Sequence, residues 1–298
     1  MVRSIHASVL GLVFAAAAAP AGAAQNDFQF PTDFVALPDG AVNVATYAVR
    51  QTLSGSWRGG VEYPSGEVTT DMLALRATRH FSVGEGGKYT IAPIMVMSMA
   101  DAETNVPALA ASGRQASGFG DLRLGSSFWF HVDRANREFG MATLLFTLPT
   151  GDYKQGQALN VSENRWKAVL SLGWMQQLGR GWVLELAPEV AFYGDNDRYM
   201  ATRRLSQDVA YAMTGTLRYR FTPEVHGYVT AQINRGGATQ VNGRPAMDGP
   251  ENTRLAAGVL LFAGGGHQLQ LRYARDANIQ NGFRNDGELV LRWSRVFD

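Results

Sequence analysis

Cysteine is absent from the 298 residues, which excludes a disulfide framework. Charged residues make up 18% of the chain, less than the ~25% that is usual for soluble domains. Beyond the N-terminus, no segment offers the ~18 uninterrupted apolar residues that a membrane helix needs. The 27 basic and 26 acidic residues nearly cancel, so charge gives no electrostatic case for binding nucleic acid or an anionic membrane surface.

The N-terminus has the layout of a secretory signal peptide. Arg3 precedes an apolar stretch from Val9 to Ala19, Pro20 ends this stretch, and small residues follow. The apolar stretch is too short to span ~30 Å of hydrocarbon comfortably. We therefore predict that residues 1–24 are a cleaved signal peptide. The exported chain is then either a soluble periplasmic protein or a membrane β-barrel.

Alternation of apolar and polar residues with period two dominates from about Val42 onward. Many of the alternating segments reach the ~9–11 residues of a tilted membrane strand. The pattern predicts twelve strands near residues 43–57, 67–81, 88–101, 119–132, 138–148, 164–178, 181–194, 206–221, 224–235, 252–263, 267–276 and 285–297.

A soluble sandwich would also alternate, but two features favour lipid. Aromatic residues gather near strand ends, as in interfacial girdles. They are Trp174, Trp182, Phe192, Tyr193, Tyr219, Phe221 and Trp293. Connections after even strands are short, whereas those after odd strands, including Arg58–Gly66 and Ala277–Arg284, are mostly longer. Short periplasmic turns alternating with longer extracellular loops predict an all-β fold, a transmembrane antiparallel up-and-down β-barrel of about twelve strands over residues 41–298.

The chain ends on an amphipathic strand that closes with an aromatic residue. Trp293 and Phe297 look like the C-terminal assembly signal of bacterial outer-membrane proteins, although Asp298 follows the aromatic. We therefore expect localisation in the Gram-negative outer membrane. The expected partners are outer-membrane lipid and, during insertion, the outer-membrane assembly machinery.

Short motifs resemble a known family. Gly118-Phe-Gly-Asp121-Leu-Arg-Leu-Gly125 resembles the G-x-G-D segment, and Leu148-Pro149-Thr150-Gly151-Asp152 resembles the P-T-G motif, of the meta-pathway phenol degradation family. The prolines in Ile91-Ala-Pro93 and Leu186-Ala-Pro188 fit the same pattern. The resemblance covers residues 40–298. It implies an outer-membrane barrel that is transporter-like, for aromatic or other hydrophobic catabolic substrates, and it carries over no substrate-binding residues.

Period two directs many charged side chains toward the lumen, because charges facing lipid at mid-membrane cost several kcal/mol. The lumen candidates are Arg76, Asp121, Arg123, Arg165, Lys167, Glu185, Glu189, Arg218, Arg220, Arg272, Glu288 and Arg292. They form either a constriction that selects solutes by charge and size, or a salt-bridged filling of a narrow barrel. Eight of them are basic and four acidic, which suggests a mild preference for anionic solutes.

Residues 25–40 precede the first strand and contain Phe28, Phe30, Phe34, Pro31 and Pro38. This segment is either a loose periplasmic stub or a plug inside the barrel, as in the long-chain fatty-acid transporter family. We favour the stub, because termini are often poorly ordered.

Enzyme motifs are lacking. No G-x-S-x-G elbow is present, and His80, His131, His226 and His267 have no phospholipase-like sequence context. We expect no enzymatic activity, no cofactor, no metal and no nucleic acid partner. The predicted function is a channel or transporter for passive uptake of small solutes, with aromatic or hydrophobic compounds as the candidates. The alternatives are an outer-membrane lipid hydrolase and a non-conducting structural barrel.

Overall fold

The computed structural model describes residues 30–246 and 248–298, so the predicted signal peptide lies outside the described residues. Twelve long strands dominate this part of the chain. They are β1 (Val42–Arg58), β2 (Val61–Arg79), β3 (Tyr89–Thr104), β4 (Arg123–Asp133), β5 (Glu138–Thr147), β6 (Lys167–Gly179), β7 (Trp182–Tyr193), β8 (Ala210–Arg220), β9 (Val225–Gly236), β10 (Asn252–Ala263), β11 (His267–Ile279) and β12 (Gly282–Phe297). Each overlaps one of the segments that the alternation predicts.

The twelve strands close into one antiparallel barrel. Each strand pairs with the next, and β1 also pairs with β12 along a register that runs from Val42 opposite Phe297 to Trp57 opposite Gly282. Closing the sheet removes its free edges, so the wall satisfies its own backbone hydrogen bonds, as hydrocarbon requires. The predicted all-β up-and-down barrel of twelve strands is confirmed.

Side chains in the wall alternate between an apolar outer face and a mixed inner face. On β12, Leu289 and Leu291 are about half exposed, whereas Glu288, Val290 and Arg292, which alternate with them, are buried. Large exposed hydrophobic residues recur on the outer face of every barrel strand except β1, as expected for a surface that contacts lipid. The period-two pattern in the sequence therefore separates inside from outside.

Aromatic rings cluster at one end of the barrel, which we call the short-turn end. There, Trp182 packs on Tyr219 with ring centroids 4.7 Å apart, and Tyr219 packs on Phe221 at 5.0 Å. Rings of this kind form the girdle at a membrane interface. Tyr193 does not belong to a girdle, contrary to the sequence prediction, because its ring lies 4.8 Å from the Arg165 guanidinium on the inner face.

The opposite end, which we call the long-loop end, carries the longer connections. Two of those predicted to be long, Arg58–Gly66 and Ala277–Arg284, are instead tight hairpins, so this part of the prediction is wrong. Arg58 at the end of β1 still pairs with Val61 at the start of β2. Polar residues beyond the hydrocarbon can continue the ladder, which is why composition alone misplaced these strand ends.

Short elements occupy the connections. A small four-stranded sheet at the long-loop end comprises Asn196–Tyr199, Arg203–Gln207, Thr239–Val241 and Arg244–Pro245. The remaining elements are the strands Phe81–Val83 and Gln115–Phe119, the helical turn Pro107–Ala110 and the 3-10 turn Glu85–Gly87. Among the described residues, no helix has the length and apolarity needed to cross a bilayer.

Candidate functional site in the barrel lumen

Residues 30–40, which we call the N-terminal segment, lie inside the short-turn end of the barrel. The Trp129 indole N–H donates to the carbonyl of Phe34 at 2.8 Å, and the Arg134 guanidinium donates to the carbonyl of Ala36 at 2.7 Å. These contacts satisfy segment carbonyls that no strand partner reaches. Of the two positions that the sequence leaves open, the described residues occupy the one inside the lumen.

Asp33 links the N-terminal segment to two arginines of the barrel wall. Both terminal nitrogens of Arg76 donate to the Asp33 carboxylate at 2.7 Å, and Arg292 donates to it at 2.7 Å. The three side chains are nine-tenths buried or more. Removing one member of such a buried group leaves uncompensated charge, which is strongly destabilising. The segment is therefore fastened to β2 and β12 by charge.

The ring of Phe30 fills the lumen beside this ion cluster. It is 1% exposed, and its centroid lies 5.4 Å from that of Tyr47. The guanidinium of Arg272 lies over the Phe30 ring at 4.4 Å and that of Arg292 at 5.7 Å. Cation–π contacts of this kind strengthen when they are desolvated. One aromatic side chain of the segment is thus held by two wall arginines.

A second buried ion pair joins the neighbouring strands β7 and β8 on the inner face of the wall. Arg218 donates to the Glu185 carboxylate at 2.8 Å, and both side chains are almost completely buried. The backbone N–H of Thr32 donates to the same carboxylate oxygen at 3.3 Å. The Nδ1 atom of His226 lies 3.1 Å from another Arg218 nitrogen. The N-terminal segment and the two ion clusters together form a floor that crosses the middle of the lumen.

The two motifs that carry the family resemblance meet at the long-loop end. The backbone N–H of Asp152 donates to the Phe119 carbonyl at 2.8 Å, and the Phe119 N–H donates to the Asp152 carboxylate at 2.7 Å. Gly151 lies so close to Gly120 that an added Cβ would stand 2.6 Å from the carbonyl carbon of Gly120. Only glycine fits this close approach. The two motifs therefore specify a direct contact between two backbone segments, which we call the clasp.

Asp121 extends this clasp across the connection between β5 and β6, residues 148–166, which we call the ceiling loop. Its carboxylate accepts hydrogen bonds from the Gly151 N–H at 2.9 Å, the Ser162 hydroxyl at 2.7 Å and the Glu163 N–H at 2.9 Å. One side chain thereby holds both ends of the loop. A carboxylate that accepts charge-assisted bonds from three donors is a strong anchor.

The ceiling loop covers the lumen from the long-loop end. Leu159 is buried in a hydrophobic cluster with Leu53 of β1 and Val68 of β2. Beside it, burial would raise the pKa of Glu163, but the positive charges of Arg165 and Lys167 outweigh this effect and hold that pKa below its usual value. The loop is therefore fixed by apolar contacts in the centre and by charge at its end.

Replacing the Asp121 carboxylate should loosen the ceiling loop. In Asp121→Ala, three donors lose their acceptor, and each buried unsatisfied group costs about 1–3 kcal/mol. Trypsin cleavage after Lys154, which lies in the loop, should accelerate at least about tenfold, as roughly 1.4 kcal/mol would give. Asp197→Ala, which alters an exposed carboxylate in another loop at the same end, is the control. Equal cleavage rates in the two variants would contradict the anchoring role.

A central cavity remains between the floor and the ceiling loop, with a volume of about 190 Å³. For comparison, a cavity of about 150 Å³ engineered into another protein binds benzene. The central cavity therefore has room for one six-membered ring. Its lining is mixed, with apolar side chains such as Val49, Met72 and Val161 and hydroxyl-bearing side chains such as Thr214 and Thr230.

None of the twelve lumen candidates is exposed. The structure joins Arg76 and Arg292 through Asp33, and Arg218 with Glu185. Arg272 is bonded to Glu288, while Arg165 and Lys167 both lie near Tyr193. Asp121 serves the ceiling loop, and Arg123 and Glu189 line the central cavity. Arg220 lies at the short-turn end, next to His226 in the ladder. These groups are spread along the lumen rather than collected in one ring.

Sequence reasoning missed four charged residues of the lumen. Arg254 donates to the Asp276 carboxylate at 3.0 Å, and both side chains are buried. The alternation of Leu255, Val259 and Leu261 on the outer face could have assigned Arg254 to the lumen. Asp33 and Glu163 gave no such signal, because neither lies in a strand and alternation predicts nothing for coil residues.

The residues of the predicted assembly signal lie on the last strand. The Trp293 indole N–H donates to Nδ1 of His267 at 3.1 Å at the short-turn end. Phe297 is opposite Val42, at the end of the seam between β12 and β1. Recognition of these residues during insertion stays a prediction.

Known proteins share this architecture. The COG4313 outer membrane channel from Pseudomonas putida F1 is 29% identical in sequence and superposes with a TM-score of 0.84, covering 90% of this chain and all of that one (100%). The β domain of the Bordetella autotransporter BrkA is 14% identical, with a TM-score of 0.51 and coverage of 87% and 100%. The transport unit of the autotransporter AIDA-I from Escherichia coli is 10% identical, with a TM-score of 0.51 and coverage of 97% of each chain.

The autotransporter likenesses are at low identity and concern the fold alone. A search of curated proteins gave no match. The likeness to the Pseudomonas channel extends over the whole barrel and marks this chain as an outer-membrane β-barrel of porin-like architecture. Residues 38–293 match the family described as "Putative MetA-pathway of phenol degradation", and the chain belongs to that family.

Proposed function

We propose that this protein is a passive channel for the uptake of small solutes, with aromatic or other hydrophobic compounds as the favoured class. The observation that carries the proposal is the central cavity, which a floor and a ceiling loop enclose within the barrel. A cavity of about 190 Å³ with apolar and hydroxyl-bearing walls suits a ring with one polar group. The solute would pass from the long-loop end to the short-turn end.

The family and the likeness to an outer membrane channel support this proposal. The histidines also favour it over the hydrolase alternative, because their contacts are of other kinds. His131 stacks on Trp174 with centroids 5.3 Å apart, and Nδ1 of His267 accepts from Trp293. A lipid-cleaving barrel uses a Ser–His pair on its outer face. These two outer-face histidines contact aromatic side chains instead.

Conductance of the purified protein in planar bilayers tests the channel proposal. We expect small, discrete current steps at neutral pH, because the floor and the ceiling loop narrow the path. Phenol or toluene added on one side should reduce the current by occupying the central cavity, whereas glucose at the same concentration should not. A current that phenol and glucose affect equally would contradict the preference for aromatic solutes.

A non-conducting structural barrel is the second candidate, and the floor favours it. The buried clusters around Asp33 and Glu185 fill the middle of the lumen with paired charges. This candidate predicts no current steps at any voltage, and none after the N-terminal segment has been removed. The proposed channel requires current steps in both cases, with larger steps after the removal.

The proposed partners follow from the outer face and the last strand. Lipid contacts the apolar outer side chains, and the assembly machinery recognises Trp293 and Phe297 during insertion. Phe297→Ala should lower the amount of folded, heat-modifiable barrel in the outer-membrane fraction. Leu291→Ala on the same outer face is the matched control, since it removes an apolar side chain outside the proposed signal.

A further inference from the structure

A second cavity, which we call the vestibule, opens at the short-turn end beyond the floor. Its volume is about 440 Å³, within the range of about 300–1,000 Å³ that is typical of small-molecule sites. Its lining includes the apolar side chains of Trp129, Met141 and Phe262 and the basic side chains of Arg137 and Arg218. The vestibule thus places aromatic side chains and positively charged side chains around the same cavity.

Three basic side chains, Arg137, Arg218 and His226, line the vestibule, and a fourth, Arg220, adjoins them outside the lining. His226 lies directly opposite Arg220 in the ladder between β8 and β9, and it contacts Arg218. Arg137 belongs to the turn between β4 and β5. Burial and the neighbouring charges of Arg220 and Arg218 lower the pKa of Arg137. All three guanidinium groups also interact electrostatically with His226. Like charges therefore face one another across this space.

The acids of the floor are already engaged. The Glu185 carboxylate accepts from Arg218 and Thr32, and the Asp33 carboxylate accepts from Arg76 and Arg292. The charges that act on Arg137 are the cations Arg220 and Arg218, and the carboxylate of the adjacent Glu138 faces His131 instead. The positive charge of Arg137 and Arg220 is therefore left for a group that the chain itself does not supply.

One buried donor in the cluster also lacks an acceptor. Arg218 can only donate, so Nδ1 of His226 accepts from it. The His226 ring also makes a hydrogen bond with the backbone of Pro223. The Nε atom of Arg220 is buried without a partner in hydrogen-bond geometry in the part of the chain that the structure describes. A buried donor of this kind calls for an acceptor.

We propose that the vestibule is a binding site for an organic anion, specifically an aromatic carboxylate. The carboxylate would accept hydrogen bonds from Arg137 and Arg220, which is the charge-assisted geometry that guanidinium groups favour. The ring would lie against Trp129 and Phe262. This site concerns equilibrium binding and does not depend on conduction, so it can fail or hold independently of the channel proposal.

Isothermal titration calorimetry of the full-length protein in a neutral detergent and a low-chloride buffer tests the site. The probes are benzoate, benzyl alcohol, which has the ring without the charge, and inorganic phosphate, which has the charge without the ring. We expect benzoate to bind at least about tenfold more tightly than either, since a charge-assisted hydrogen bond contributes about 1.5–3 kcal/mol. Equal binding of benzyl alcohol or of phosphate, or no binding of benzoate, overturns the proposal.

Variants connect the binding to these residues. Arg137→Gln and Arg220→Gln should each weaken benzoate binding about tenfold, again from the loss of one charged donor. Arg180→Gln is the matched control, because Arg180 also lies in a short turn at this end with a positive φ, 47° against 54° for Arg137. Heat-modifiable migration verifies that each variant is folded. Benzoate affinity that is unchanged in both folded arginine variants, or equally weakened in the control, overturns the assignment.

Discussion

Deleting residues 25–40 is expected to raise the single-channel conductance in planar bilayers several-fold. The N-terminal segment contributes the buried rings of Phe30 and Phe34 to the floor. Without these rings and the backbone between them, the central cavity and the vestibule would join into one continuous path. A barrel of about twelve strands lies between small filled barrels and open porins, so the occupant of the lumen decides whether ions pass.

A shorter deletion serves as the control for this experiment. Removing residues 25–29 shortens the same end of the chain but leaves Phe30, Asp33 and Phe34 in place. We expect its conductance to match that of the intact protein. If the longer deletion yields a heat-modifiable barrel whose conductance is unchanged, the N-terminal segment does not obstruct the path and the floor must be assigned to the wall side chains.

Asp33→Asn is expected to release the N-terminal segment without shortening the chain. The substitution keeps the shape of the side chain, but it leaves Arg76 and Arg292 buried beside each other without a counter-charge. Breaking a buried ion pair costs about 3–5 kcal/mol. Movement of the segment out of the lumen would relieve this cost. The fraction of molecules with the segment outside the lumen should then rise at least about 100-fold, at about 1.4 kcal/mol per factor of ten. Recordings should show correspondingly more frequent openings to the level of the 25–40 deletion.

Asp39→Ala controls for the loss of one negative charge from the same segment. Asp39 is exposed, and its carboxylate accepts only from the Ser82 backbone N–H among the hydrogen bonds of this region. We expect its recordings to resemble those of the intact protein. Openings that are equally frequent in both variants would mean that net charge, and not the buried cluster, holds the segment.

Most of the fold could be predicted because the wall of a membrane barrel requires apolar and polar residues to alternate along each strand. Lipid penalises every outward charge, so β12 alternates strictly between Leu289 and Leu291 outside and Glu288 and Arg292 inside. The same penalty ends at the membrane surface. Beyond it, glycine and polar residues form the turns of the hairpins at Arg58–Val61 and Ile279–Gly282, and the sequence therefore could not locate their ends.

The interior of the lumen was less accessible to prediction, for a different physical reason. Alternation says which side chains point inward, but it does not say which of them meet. Asp33 pairs with Arg292 from 259 residues away, and Asp121 binds a loop rather than a solute. Contacts of this kind depend on how coil segments fold back into the barrel, and coil has no period. The family motifs were visible in the sequence, but nothing in the sequence indicated that they meet as a clasp between Gly120 and Gly151.

The seam between β1 and β12 has a consequence for the order of assembly. The chain's first strand must wait for its last before the barrel closes, and contacts between such distant segments form slowly. Arg292, on that last strand, is also one of the two arginines that bind Asp33. The pairing of β12 with β1 therefore closes the wall and also completes the site that binds the N-terminal segment. An unclosed intermediate lacks a complete binding site for the N-terminal segment, so we expect this segment to take its place in the lumen only as the barrel closes.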